Sequence, residues 1–148
     1  MIKQAFVTAL LCLAALSVRA EVVNIDNTEL ARLAASGVAV IDIRTAPEWK
    51  ETGVIPGSRL ITFFDENGQS DPQAWLAKLK TVTKPDQPVI LICRSGNRTR
   101  PATQFLAQQG GYKTVYNAAT GIGSWAREGR PLTPATSAMA ACAAGTRC

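Results

Sequence analysis

The chain has 148 residues, 47% hydrophobic and 18% charged, with a formal charge of +5, which is room for one domain with a core and rules out a disordered chain. It contains no histidine, so Ser-His-Asp hydrolysis, Cys-His proteolysis and every zinc site built on imidazole are excluded. Chemistry must run on cysteine, arginine, carboxylates or backbone amides.

Residues 1–20 read as a secretory signal peptide. Lys3 supplies a basic start, Ala5 to Leu16 is an uncharged apolar run, and Val18 and Ala20 are small residues ahead of a cut before Glu21. The apolar run is too short to span a bilayer, so after cleavage no membrane attachment is expected. The expected destination is outside the cytoplasm, the periplasm in a two-membrane cell. Cleavage removes Lys3 and Arg19 and leaves 14 basic against 11 acidic side chains. No basic cluster interleaves with aromatics, so no nucleic-acid partner is expected. A mild positive balance does favour small anionic ligands.

Along the mature chain, Glu21 to Asn24 reads as a first strand. Asp26 with Glu29 offers a capping box for a helix carrying Leu30, Leu33 and Ala34, stopped at Gly37. Val38 to Ile43 reads as a buried strand, and Arg44 to Trp49 opens a short helix with Pro47 in its first turn. Gly53 to Gly57 is a turn leading into an extended Arg59-Leu60-Ile61. Ser70-Asp71-Pro72 starts the next helix, where Trp75, Leu79 and Val82 form one apolar stripe. Val89 to Cys93 is a continuous apolar run, the mark of a strand covered on both faces. A polar loop, Arg94 to Arg98, leads to a helix through Ala102, Phe105 and Leu106 that stops at Gly110-Gly111. Thr114 to Tyr116 is a last strand and Gly121 to Glu128 a last helix. Alternation of strands and helices defines an α/β class, with a mainly parallel sheet and helices on both faces.

The domain is therefore expected over residues 21–132. Residues 133–148, rich in Ala, Thr and Ser, are expected to be a poorly packed C-terminal extension. Without Cys12, which the signal peptide carries away, three cysteines remain. In an oxidising compartment an odd count leaves one over. Cys142 and Cys148 are close in sequence and are the expected disulfide, leaving Cys93 free.

Ligands of open α/β sheets bind beyond the carboxyl ends of the strands, and Cys93-Arg94-Ser95-Gly96-Asn97-Arg98-Thr99 lies at such an end. A short polar turn there can gather N–H groups around one point as an anion-binding nest. Two arginines reinforce it, and in such surroundings a thiol ionises readily without a histidine base. Cys93 is the candidate nucleophile. Arg94, Ser95, Gly96, Asn97, Arg98 and Thr99 are the candidate substrate-binding residues. Asp42, a carboxylate in an apolar strand, needs a partner and is expected to serve structurally, holding backbone amides or Arg44. Trp49, Trp75 and Trp125 are expected to pack. Asp65, Glu66 and Asp71 lack calcium-ligand spacing, so no metal is assigned.

The loop from Cys93 to Thr99 resembles the active-site loop of rhodanese-family sulfurtransferases. Ile41-Asp42-Ile43-Arg44 with Glu48-Trp49 is similar to that family's D-x-R strand and short helix. Gly53-Val54-Ile55-Pro56-Gly57-Ser58 is similar to its G-H-I-P-G-A segment, with valine for histidine and serine for alanine. Gly121 to Trp125 with Gly129-Arg130-Pro131 resembles its closing piece. The resemblance covers Val22 to Leu132 and implies a rhodanese-like domain without a cofactor. It also implies that Cys93 takes a sulfane sulfur from a small anionic donor such as thiosulfate and passes it from a persulfide to cyanide or a thiol, in ping-pong fashion. Two alternatives stand beside it. One is a non-catalytic or redox-sensing module of the same fold. The other is a cysteine-dependent phosphatase or arsenate reductase, whose Cys-x5-Arg loop is one residue longer than the interval from Cys93 to Arg98.

Overall fold

The computed structural model describes residues 20–136. Nearly all of the expected signal peptide, and both Cys142 and Cys148, lie outside the described residues. Five parallel strands form one sheet: β1 (Glu21–Ile25), β2 (Ala39–Asp42), β3 (Arg59–Leu60), β4 (Val89–Ile92) and β5 (Thr114–Ala118), in spatial order β1-β5-β4-β2-β3. The helices are α1 (Asn27–Ala35), α2 (Ala46–Thr52), α3 (Pro72–Val82), α4 (Thr99–Phe105) and α5 (Gly121–Arg127). A π-helical stretch, Leu106–Gly110, carries α4 onward and was not expected from the sequence.

β4 lies between β2 and β5, with Ile41 opposite Leu91 and Leu91 opposite Asn117. All four of its residues are buried, since helices cover both faces of the sheet. On one face Ile41, Ile43, Val89 and Leu91 pack against Trp75, Leu76 and Leu79 of α3 and Ala102 of α4. On the other, Val40, Ile90 and Ile92 meet Leu30 and Leu33 of α1 and Ile122 and Trp125 of α5. Alternate β4 side chains thus feed two separate cores, which is why the run has no polar residue.

The caps are local and do what short polar side chains do. Asp26 accepts the Glu29 N–H at 2.8 Å, and Asp71 accepts the Ala74 N–H at 2.9 Å. The Glu29 carboxylate pairs with Arg32 (2.8 and 2.5 Å). Among the helix starts, it is Glu48 at α2 whose carboxylate returns to its cap, accepting the N–H and hydroxyl of Thr45 at 3.1 and 3.0 Å.

The packed structure does not end at Leu132, where the poorly packed extension was expected to begin. Thr133 and Val54 exchange both N–H···O bonds at 2.9 Å, and Ala135, 2% exposed, closes over Trp49 and Val54. Composition misled at this point because small residues also suit close packing on a helix. Val54 is fully buried, an apolar contact at the position where the G-H-I-P-G-A segment it resembles carries histidine. Among the described residues, no helix is long and apolar enough to cross a membrane.

Candidate active site

Cys93 follows the last residue of β4, and α4 begins at Thr99. The intervening turn is shaped by Gly96, whose φ is +88°. A Cβ there would stand 2.1 Å from the Ala119 carbonyl oxygen, so only glycine fits. The Gly96 N–H points back at Cys93 Sγ, 3.1 Å away. Thr99 Oγ1 lies 3.8 Å from the same sulfur and donates to the Gly96 carbonyl at 3.0 Å. One main-chain amide and one hydroxyl therefore hold the thiol at the throat of the turn.

The outer wall comes from α5. Ile122 N–H donates to the Cys93 carbonyl at 2.9 Å and Gly123 N–H to the Arg94 carbonyl at 3.0 Å. Such contact needs small residues: a Cβ on Gly121 would meet the Arg94 oxygen at 2.4 Å, and one on Gly123 at 3.2 Å. All peptide bonds here are trans. Carbonyls turned into α5 therefore aim the following N–H groups, of Arg94 and Ser95, to the opposite side.

Arg98 reaches across to α2. Its Nη1 donates to Glu48 Oε2 at 2.7 Å and its Nη2 to Glu48 Oε1 at 2.5 Å, a bidentate pair. These hydrogen bonds hold the Glu48 pKa down at about 2 against an opposing effect of burial. The Arg98 pKa is raised, first by hydrogen bonding to Glu48, with Cys93 adding a smaller electrostatic contribution.

Glu48 is itself set in place by a buried pair. Asp42 and Arg44 are each 1% exposed. Arg44 Nη2 donates to Asp42 Oδ2 at 2.7 Å, Nε to both carboxylate oxygens at 3.0 and 3.1 Å, and the backbone N–H to Oδ1 at 3.1 Å. The rest of the guanidinium grips the end of α2, donating to Thr52 Oγ1 at 2.7 Å and the Gly53 carbonyl at 2.9 Å. A chain of contacts thus runs from Asp42 through Arg44 and α2 to Glu48, and on to Arg98.

The structure gathers the expected site residues on one turn, with unequal exposure. Arg94, Ser95 and Asn97 are exposed at the rim, Arg98 is half-buried, and Gly96 and Thr99 are buried. Cys93 is only 1% exposed, a more enclosed thiol than the reading as a nucleophile anticipates, because the turn and Thr99 close around it. Any reactant arrives through the rim. Arg98 differs from expectation too, since its donors face a carboxylate. Sequence reasoning missed the roles of Glu48 and of the Ile122 and Gly123 amides. The paired glycines at Gly121 and Gly123 were the available signal for the second. Two open clefts, of about 600 Å³ beside Gly37, Pro56 and Pro88 and about 340 Å³ beside Asp71 and Trp75, are not lined by the turn.

The family model of the rhodanese-like domain matches residues 26–128. A sulfurtransferase of Allochromatium vinosum is 33% identical over 111 residues, covering 74% of this chain and 92% of that one. Thiosulfate sulfurtransferase 18 of Arabidopsis thaliana is 27% identical over 116 residues, covering 76% and 84%. Among solved structures, a rhodanese-related protein from Thermoplasma volcanium superposes with a TM-score of 0.56 at 26% identity, covering 75% of this chain and 97% of that one. The family match runs from the cap of α1 to the end of α5, taking in β2 to β5 and the cysteine turn, and the chain belongs to the rhodanese-like domain family, among sulfurtransferase relatives.

Proposed function

We propose that the protein is a thiosulfate sulfurtransferase working through a Cys93 persulfide. The observation that carries the reading is the Gly96 N–H directed at Cys93 Sγ from 3.1 Å, a fixed donor where negative charge must sit before and after sulfur transfer. The Cys93 thiolate attacks the outer sulfur of thiosulfate. The S–S bond of the donor breaks and sulfite leaves with its electron pair. A persulfide remains, its terminal sulfur facing the rim amides. A nucleophilic acceptor, cyanide or a thiol, then attacks that sulfur, and the bond electrons return to Cys93. Two half-reactions share one covalent intermediate, so the kinetics are ping-pong. Exposed Arg94 draws the anionic donor to the turn, and a relative bearing the name thiosulfate sulfurtransferase supports this choice of donor.

The test is a mass spectrum of the reduced protein after thiosulfate, with thiocyanate measured after cyanide. One added sulfur of about 32 Da on the Cys93 peptide, with thiocyanate lost in Cys93→Ala, is the expected result. Thiocyanate output unchanged in that variant would end the reading. Turnover of an aryl phosphate that depends on Cys93 would put a phosphatase in its place. The reading includes export: N-terminal sequencing of protein recovered outside the cytoplasm is expected to begin at Glu21.

A further inference from the structure

Asn27, the first residue of α1, is a polar side chain only 3% exposed, and burying a carboxamide is costly unless both of its ends are bonded. Its own helix has no need of it, because Asp26 already accepts the Glu29 N–H at the cap. Both ends go instead to α5, to residues 93 and 101 positions further along the chain. Asn27 Oδ1 accepts the Thr120 hydroxyl at 3.3 Å, just before α5 begins, and Nδ2 donates to Glu128 Oε1 at 2.6 Å, just after it ends. Chemistry fixes that orientation, since an ionised carboxylate can only accept. Glu128 also accepts from Ser124 at 3.2 Å and from Arg130 at 2.6 Å, and Arg130 donates to Thr28 at 3.1 Å. The first turn of α1 thus holds α5 at both ends.

Thr120 is flanked by two residues that abut the cysteine turn. The Ala119 carbonyl stands against Gly96, and Gly121 stands against the Arg94 carbonyl. One step further on, Ile122 and Gly123 hold the carbonyls of Cys93 and Arg94. From this juxtaposition we infer that Asn27 is a positioning residue for the Cys93 turn. By fixing α5 and the residues that lead into it, Asn27 keeps the Gly96 N–H on the sulfur and the Arg94 and Ser95 peptides in one orientation. The inference rests on the sulfurtransferase reading for what the turn is used for, and on geometry for the rest. Asn27 touches no reactant and takes no part in the bond changes. It acts through α5 alone. A turn whose carbonyls are no longer held can rotate its peptides, and the thiolate then loses a share of its donors.

The test follows the Cys93 peptide of the full chain by mass spectrometry, reading its alkylation by iodoacetamide across pH and its persulfide formation from thiosulfate near neutral pH. Asn27→Asp sets a second carboxylate against Glu128. Thiolate formation is expected to move to higher pH and persulfide formation to slow about tenfold, the scale of one weakened hydrogen bond to a charged group. Adding Glu128→Gln exchanges the donor and acceptor roles, and should return both readings to within about twofold of wild type. Glu128→Ala, at an exposed position, unties the same end of α5 without burying a charge and should slow persulfide formation about threefold. Tyr112→Phe controls for lost stability alone, because it gives up a buried hydrogen bond to the Thr83 carbonyl at the opposite end of the sheet. Its Cys93 should titrate and react as in wild type. Wild-type behaviour of Cys93 in both Asn27→Asp and Glu128→Ala, an equal shift in Tyr112→Phe, or a double variant that recovers nothing overturns the inference. A wild-type chain that alkylates at Cys93 and forms no persulfide would instead sink the sulfurtransferase reading, while the alkylation profiles still decide the role of Asn27.

Discussion

At Cys93 the fold offers a sulfur very little freedom: a 3.1 Å amide on one side, a threonine hydroxyl on the other and 1% exposure overall. Such enclosure suits a group that must present one atom in one direction. Gly96 makes the enclosure possible, so Gly96→Ala is expected to damage both stability and turnover. Its backbone conformation alone costs an L-residue about 1–2 kcal/mol, and the new methyl collides with the Ala119 carbonyl. A lower urea midpoint together with reduced thiocyanate output would be the signature. Retained activity would show that the turn tolerates being opened. Glu48 makes a second residue-level prediction. Its carboxyl titrates at about 2 in the folded protein against an ordinary 4.5, so the ionised form is the one that folding favours. Its stabilising contribution is fully present above pH 4.5 and fades as pH falls toward 2. Wild type and Glu48→Gln should therefore differ in urea midpoint at pH 6, and the gap should narrow through that acid range.

Among the elements, α2 carries more of the site than its seven residues suggest. It is pinned by the Asp42–Arg44 pair and in turn pins Arg98. Removing the buried carboxylate strands a guanidinium without its counter-charge. Asp42→Ala is therefore expected to cost about 3–5 kcal/mol, read from urea denaturation. Replacing both partners with apolar residues of similar volume should cost less. Activity lost in Glu48→Gln at unchanged fold would place the same chain of contacts in the service of Arg98. Much of the element plan was legible beforehand, because a cap such as Asp71, a stop such as Gly37 and an all-apolar run such as Val89–Ile92 each act within a few residues. The cysteine turn was legible for the same reason. The Arg98–Glu48 contact was not, since its partners are 50 residues apart. They meet only because β2 and β4 are neighbours, a fact of strand order that no local pattern encodes. The Glu48 carboxylate also satisfies its own helix cap.

On the scale of the whole molecule, strands that all run the same way put every strand-to-helix turn from one end of the sheet on a single rim. β4, near the middle of that rim, carries the cysteine. The segment after α5 returns to α2, where Thr133 and Ala135 fasten onto Val54 and Trp49. A chain ended at Leu132 loses two backbone hydrogen bonds and that apolar cover, and is expected to be about 1–3 kcal/mol less stable than one ended at Thr136. Equal denaturation midpoints for the two would show that the fastening contributes nothing.

Because the carbonyls of Cys93 and Arg94 are held by the amides of Ile122 and Gly123, the cysteine turn is completed by residues made well after it. A polypeptide still emerging from the ribosome has its cysteine long before it has the clasp. Until the closing helix arrives, that thiol is an ordinary one on an unfinished chain. The order of synthesis therefore delays completion of the turn until the closing helix has been made.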